Sequence, residues 1–110
     1  MKLFWNDIKN NKYLLGILFR KDGYYHFDIN EDGLKQALHH GCFGIGTINL
    51  SKKTIKHKEL FDFFKNRIPK KNNPNIDKIL KEINLVEYDE YEILKKTGSR
   101  LSTDRYYLEE

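Results

Sequence analysis

Cysteine is nearly absent from this chain, which holds only Cys42. An internal disulfide is therefore excluded, which accords with a reducing compartment. Long apolar runs are missing as well. No window approaches the roughly 18 uncharged apolar residues that a membrane span requires. The N-terminus places Trp5, Asn6 and Asp7 where a signal peptide would have its apolar stretch. The expectation is an intracellular, cytoplasmic protein with no membrane partner.

What is present suffices for one domain spanning residues 1–110. Such a chain is long enough for a single core and too short for two. Hydrophobic residues make up 39% and aromatics 14%, more than a disordered tail carries. The net charge of +4 is unevenly spread. Residues 51–71 set eight basic side chains against Glu59 and Asp62, a net +6, whereas residues 82–92 carry five acidic and no basic ones. Such asymmetry suits docking on an acidic surface, or simply keeps a small domain soluble.

The pattern of residues predicts the elements in order. LFWN (3–6) is a short apolar strand followed by a turn-like DIKNNK. YLLGILFR (13–20) and YYHFDI (24–29) form a hairpin about Lys21-Asp22-Gly23, with Gly16 marking a bulge or a close backbone approach. EDGLKQALHH is a helix stopped by Gly41, and GCFGIGTINL (41–50) is a loop running into a strand.

From Lys58, the residues Leu60, Phe61, Phe64 and Ile68 share one helical face and are assigned to the core. Phe63 lies roughly 60° off that stripe, at its margin. Pro69 ends this helix near Arg67 or Ile68. Asn73-Pro74 starts another, capped by Asn73, with Ile76, Ile79, Leu80 and Ile83 as its stripe. A further helix begins at Asp89 with Glu92 completing a capping box, and stops at Gly98. TDRYYLEE closes the chain as a strand pairing with the N-terminal hairpin. The expected class is α+β: a small antiparallel sheet, hairpin plus C-terminal strand, packed against three to four short helices.

Candidate chemistry is sparse. His39, His40 and Cys42 are close in sequence, but a zinc site needs three or four ligands and the other histidines, His26 and His57, are isolated. GCFGIG lacks the following Lys-Ser or Lys-Thr of a phosphate-cradling loop and leads into a strand instead of opening a helix. The acidic residues at 87, 89, 90 and 92 coincide with a helix start, where negative charge is favoured structurally. No nucleophile, base and orienting group assemble. The expectation is a non-enzyme with no catalytic residues, metal, cofactor or small-molecule substrate. A nucleic-acid reading rests on Lys52, Lys53, Lys56, Lys70 and Lys71 as phosphate contacts, with Tyr24, Tyr25, Tyr106 or Tyr107 as stacking rings. Adjacent strand residues point to opposite faces, so one ring of each tyrosine pair is expected inside and one outside.

The order of LLGILFR, GYYHFDI, helix, strand and LFDFFKNRIP resembles the small N-terminal subdomain of HipA-type Ser/Thr kinases of toxin–antitoxin systems. Leu60, Phe61, Phe63, Phe64, Asn66 and Pro69 match that family's LF-x-FF-x-N-x-x-P segment, and Tyr91, Ile93, Leu94 and Gly98 match its F-x-L-L-x-x-x-G. The likeness runs from about Leu14 to Leu108. After Gly98 the family's Asp-x-x-Gly-Ala run is replaced by Ser99-Arg100-Leu101-Ser102-Thr103-Asp104, which looks more like the segment preceding DNA-binding HIRAN domains in some bacterial proteins. Neither a kinase nor a HIRAN domain follows, so the resemblance implies a stand-alone, HipS-like antitoxin. Such a protein would bind and restrain a HipA-type kinase toxin, together with a helix-turn-helix protein bound to DNA. Phe63, Asn66 and Arg67 are the expected partner contacts. The alternative is a nucleic-acid-binding accessory module of the HIRAN-linked type.

Overall fold

Asp22 and Gly23 both adopt positive φ, 54° and 76°, which is the two-residue turn that matches the twist of paired strands. This turn joins β2 (Lys12–Lys21) to β3 (Tyr24–Ile29), the expected hairpin. A computed structural model describes residues 1–101 and 103–110. The remaining elements are β1 (Lys2–Asn6), α1 (Glu31–His39), β4 (Thr54–His57), α2 (Asp62–Lys65), α3 (Ile76–Glu82), α4 (Glu90–Thr97) and β5 (Tyr106–Glu109). The strands form one antiparallel sheet in the order β4-β3-β2-β1-β5. The fold is therefore α+β, as expected. No helix among the described residues is long and apolar enough to cross a membrane.

Two strands sit differently from the sequence reading. The closing strand β5 pairs with β1, which stands between it and the hairpin. The strand expected at the end of GCFGIGTINL is absent. Gly44 and Gly46 take φ of 101° and 55° there, so Ile45 reaches the core from an irregular loop. The fourth strand is instead Thr54–His57, inside the lysine run, paired to β3.

Gly16 meets both expectations placed on it. Leu3 faces Gly16 and Phe4 faces Leu14, so Leu15 is an extra residue in β2. A Cβ on Gly16 would lie 2.5 Å from Phe27 Cζ and 2.6 Å from the Asp28 carbonyl oxygen. The bulge lets Leu15 and Leu18 both enter the core, although an unbroken strand would point them to opposite faces.

Helices α1, α2 and α4 pack on one face of this sheet. His40, after α1, stacks on Tyr13; Phe64 of α2 meets Phe27; Tyr91 of α4 meets Tyr25. The core joins Leu3, Trp5, Leu18 and Phe27 of the sheet to Leu34, Leu60, Phe64, Leu80, Ile93 and Leu94. The expected core quartet of Leu60, Phe61, Phe64 and Ile68 is buried throughout. Its helix is shorter than expected, however: α2 makes a single turn and closes through Asn66 well before Pro69. α3 also starts later than Pro74. The Asn73 side chain accepts from the Asn75 N–H at 2.8 Å, forming a local turn in place of a helix cap. α4 starts and stops as read: Asp89 Oδ1 accepts from the Glu92 N–H at 3.2 Å, and Gly98 ends the helix at φ 67°, although among the described residues no bond returns from the Asp89 N–H to the Glu92 side chain to complete the capping box.

Candidate protein-docking surface

Arg67 follows α2 and points inward, its side chain only 3% exposed. Its Nε donates to the Ser99 carbonyl at 2.7 Å and its Nη2 to the Tyr106 carbonyl at 2.9 Å. The two Nη atoms also grip Asp104 as a fork, at 2.7 and 2.9 Å. A planar guanidinium matches a carboxylate in this bidentate way, which a lysine cannot do. Burial pushes the Asp104 carboxyl upward, but hydrogen bonds from Arg67 and from the Tyr106 N–H outweigh it and hold the group below its usual range. Arg67, expected at the partner surface, is thus an internal clamp. Four of its five N–H donors are engaged within the chain, and with Asp104 it forms part of the wall of a cleft at Phe63.

The clamp fixes a group of rings. Phe63 stands edge-on to Phe64 and to Tyr106, each centroid 5.1 Å away, with the Arg67 guanidinium also 5.1 Å from its ring. Phe63 is half-buried, as its marginal position on the stripe implied. The Tyr106 hydroxyl in turn donates to the Gly44 carbonyl and lies 3.5 Å from Cys42 Sγ. Burial, and then the neighbouring Cys42 thiol, push the Tyr106 phenol well above its ordinary value. This pins the loop 41–50. Cys42 and Ile45 are buried on either side of Phe43 and Gly44, and the Cys42 N–H bonds the Ala37 carbonyl at 2.9 Å.

Phe43 itself is 100% exposed. The sequence reading passed over it, although a phenylalanine among turn glycines has no strand or helix face to bury it. Farther along the same loop, Gly46 and Thr47 join Asp62, Phe63, Asn66 and Leu101 around a cleft of ≈ 270 Å³. Leu101 is also exposed. Asn66, the remaining expected contact, lies on this rim and is open to solvent.

The five candidate phosphate-binding lysines fall on two parts of the fold. Lys52 and Lys53 precede β4, where Lys53 Nζ is 3.8 Å from Glu31. Lys56 sits 4.4 Å over the Tyr24 ring. Lys70 and Lys71 line a separate groove beside α2 that also holds Asp62, Tyr88 and Glu90. Both tyrosine pairs divide between the two faces, but only the first leaves a ring exposed. Tyr25 is buried and Tyr24 exposed, but Tyr106 is half-buried and Tyr107 buried, beneath Arg100 at 4.1 Å from its ring.

The second face of the sheet receives none of the helix contacts given above. The register places Phe4, Ile17, Phe19, Tyr24, His26 and Tyr107 there, with Lys2, Lys12, Lys56, Asp28 and Glu109. Phe4 stacks on Tyr107 at 5.7 Å with Lys12 Nζ 4.0 Å above it, and Phe19 stacks on His26 at 4.8 Å. His39 and His40 meet edge to face at 5.3 Å while Cys42 turns inward. Among the described residues, no three or more His, Cys, Asp or Glu side chains are grouped to hold a metal ion.

No protein-family model matches the chain, and no curated protein matches it in sequence.

Proposed function

We propose that this chain is a non-catalytic protein-binding module that docks through the surface around Phe43 and Phe63, and that its partner is a HipA-type Ser/Thr kinase which it restrains. The observation that carries the docking surface is the full exposure of Phe43 on a loop fixed by its own neighbours. Leaving a phenylalanine in water forgoes about 1.5–3 kcal/mol of burial. A ring held outward by a pinned loop has lost little freedom when a partner pocket closes on it, so its burial goes largely into affinity. Three residues farther along that loop, Gly46 joins Phe63, Asn66 and Leu101 in a cleft that offers apolar surface with a polar rim. The kinase identity of the partner rests on the sequence resemblance alone.

Binding to a HipA-type kinase encoded beside this chain tests the reading. Phe43→Ser should weaken the complex roughly 10- to 100-fold, raise kinase autophosphorylation in the mixture, and leave the melting temperature within about 2 °C. A wild-type chain that binds no such kinase, or a variant that binds equally well, overturns it.

A second reading is favoured by one observation, the ring-and-cation array on the open sheet face. Single-stranded nucleic acid is bound by stacking on such rings while cations meet its phosphates. A mobility shift at low salt that fades steeply as salt rises, and weakens in Lys56→Ala and Tyr24→Ala, would support it over kinase docking.

A further inference from the structure

The two edges of the sheet are not alike. At β5 the chain closes its own edge: the Leu108 N–H donates to the Gly98 carbonyl at 2.8 Å, and the Tyr106 carbonyl is taken by Arg67. At β4 nothing comparable happens. The Ile29 N–H bonds the Lys53 carbonyl at 2.8 Å, and the register pairs Phe27 with Ile55 and Tyr25 with His57. In an antiparallel ladder, bonded pairs alternate with non-bonded ones. Lys53, Ile55 and His57 therefore turn their main-chain groups toward β3, while Thr54 and Lys56 turn theirs away. Among the described residues, no hydrogen bond takes up these outward N–H and C=O groups.

Beside this edge lies a hollow of ≈ 230 Å³, with Ile48, Ile55, Leu60 and Phe61 in its walls. Ile55 packs against the core and the His57 ring lies 6.3 Å from that of Phe61, so the hollow opens on the core side of the edge. Lys56 lines it together with Glu59 and Asp62, and Lys52, Lys53 and Lys58, all exposed, flank Lys56 along the chain.

We infer that β4 is an acceptor for an extended acidic segment of a partner protein, which adds to the sheet as a sixth strand. Its main chain would pair with Thr54 and Lys56. The residue opposite Ile55 would share its face and enter the hollow, so it should be apolar. The residues on either side would emerge on the other face among the lysines, so they should be Asp or Glu. Charge also decides against a second copy of this chain, because pairing two β4 edges would set lysine against lysine. This inference rests on the protein-binding reading and names the kind of segment the module takes. The hollow shares Thr47 and Asp62 with the cleft at Phe63, so one partner can occupy both.

The test uses a synthetic peptide of about seven residues alternating Glu with Ile or Val, and its charge-reversed twin with Lys for Glu. Amide NMR of the full chain should show the Thr54 and Lys56 signals shifting and gaining exchange protection with the acidic peptide only. Thr54→Pro removes an outward N–H at a position where an edge strand tolerates proline, and should weaken binding at least tenfold. Lys56→Glu should do the same without altering the main chain, which keeps the test decisive if the proline variant misfolds. Absence of binding by the wild type, equal binding of the two peptides, or full binding by Lys56→Glu overturns the inference. If the peptide fails while Phe43-dependent kinase capture persists, only the edge assignment is lost. If kinase capture fails while the peptide binds, the kinase reading is lost and the edge stands.

Discussion

Removing Arg67 should cost more stability than removing any exposed charge in this protein. Arg67→Ala deletes four hydrogen bonds, leaves the Ser99 and Tyr106 carbonyls without that donor, and leaves the Asp104 carboxylate with the Tyr106 N–H alone. Breaking a buried ion pair by deleting one partner costs about 3–5 kcal/mol, because the remaining charge loses its compensation. Asp104 is 29% exposed and regains some water, so the lower end applies, about 3 kcal/mol. With a urea m-value of about 2 kcal/mol/M, the unfolding midpoint should fall by about 1.5 M. The melting temperature should fall by about 12 °C, at about 4 °C per kcal/mol for a domain of this size.

Two companion variants sharpen the test. Arg67→Lys keeps the charge but forfeits the fork, so it should recover less than half of the loss. Asp104→Asn keeps one acceptor for the guanidinium on a partly wet side chain and should lose about 1–2 kcal/mol. Urea titration followed by far-UV circular dichroism measures all three. A midpoint for Arg67→Ala within about 0.3 M of wild type, or full rescue by lysine, would refute the assignment of Arg67 as the clamp that closes the β5 edge.

Two other perturbations follow from the structure. A Cβ on Gly33 would lie 1.9 Å from the Leu14 carbonyl oxygen, so Gly33→Ala should destabilise the fold by more than about 1 kcal/mol in thermal melts, although alanine is the better helix former. Asp7 is buried, which alone would raise its pKa, but hydrogen bonds from Asn11, Tyr13 and Lys9 lower it from 3.8 to about 2. Its stabilisation is complete above the unfolded value near 4 and lost as pH falls toward 2, so acid titration of Asp7→Asn should show a shallower decline in that window.

Most of the elements were legible because their signals are local. The hairpin declares itself by Asp22-Gly23, α4 by Asp89 and Gly98, and β1 and β5 by short apolar runs. The misreading of β4 has a physical cause. Edge strands carry lysines to deter unwanted pairing, so Thr54–His57 offers one apolar residue and looks like a charged loop. GIGTINL imitates strand alternation while its isoleucines pack from a glycine-bent loop. The site was legible in part. Phe63 at the stripe's margin followed from helical geometry, but the partner of Arg67 lies 37 residues away, a distance that no local pattern spans. An arginine ahead of a proline therefore read as surface when it is interior.

The inward turn of Arg67 also governs how a mutational scan of the docking surface must be interpreted. Arg67 holds the Tyr106 carbonyl and the Asp104 carboxylate; Tyr106 holds Gly44; the loop carrying Gly44 presents Phe43. Arg67→Ala would therefore weaken partner binding chiefly by loosening the strand that fixes the loop. Phe43→Ser removes a contact and leaves that chain of anchors in place. Loss of binding with an unchanged melting temperature identifies a contact, whereas loss of binding in step with a fall of about 12 °C identifies a support. Phe63 is the informative intermediate, since it packs on Phe64 and Tyr106 while bordering the cleft. If it is a contact, Phe63→Leu, which retains most of the apolar volume, should preserve the fold and still weaken the complex.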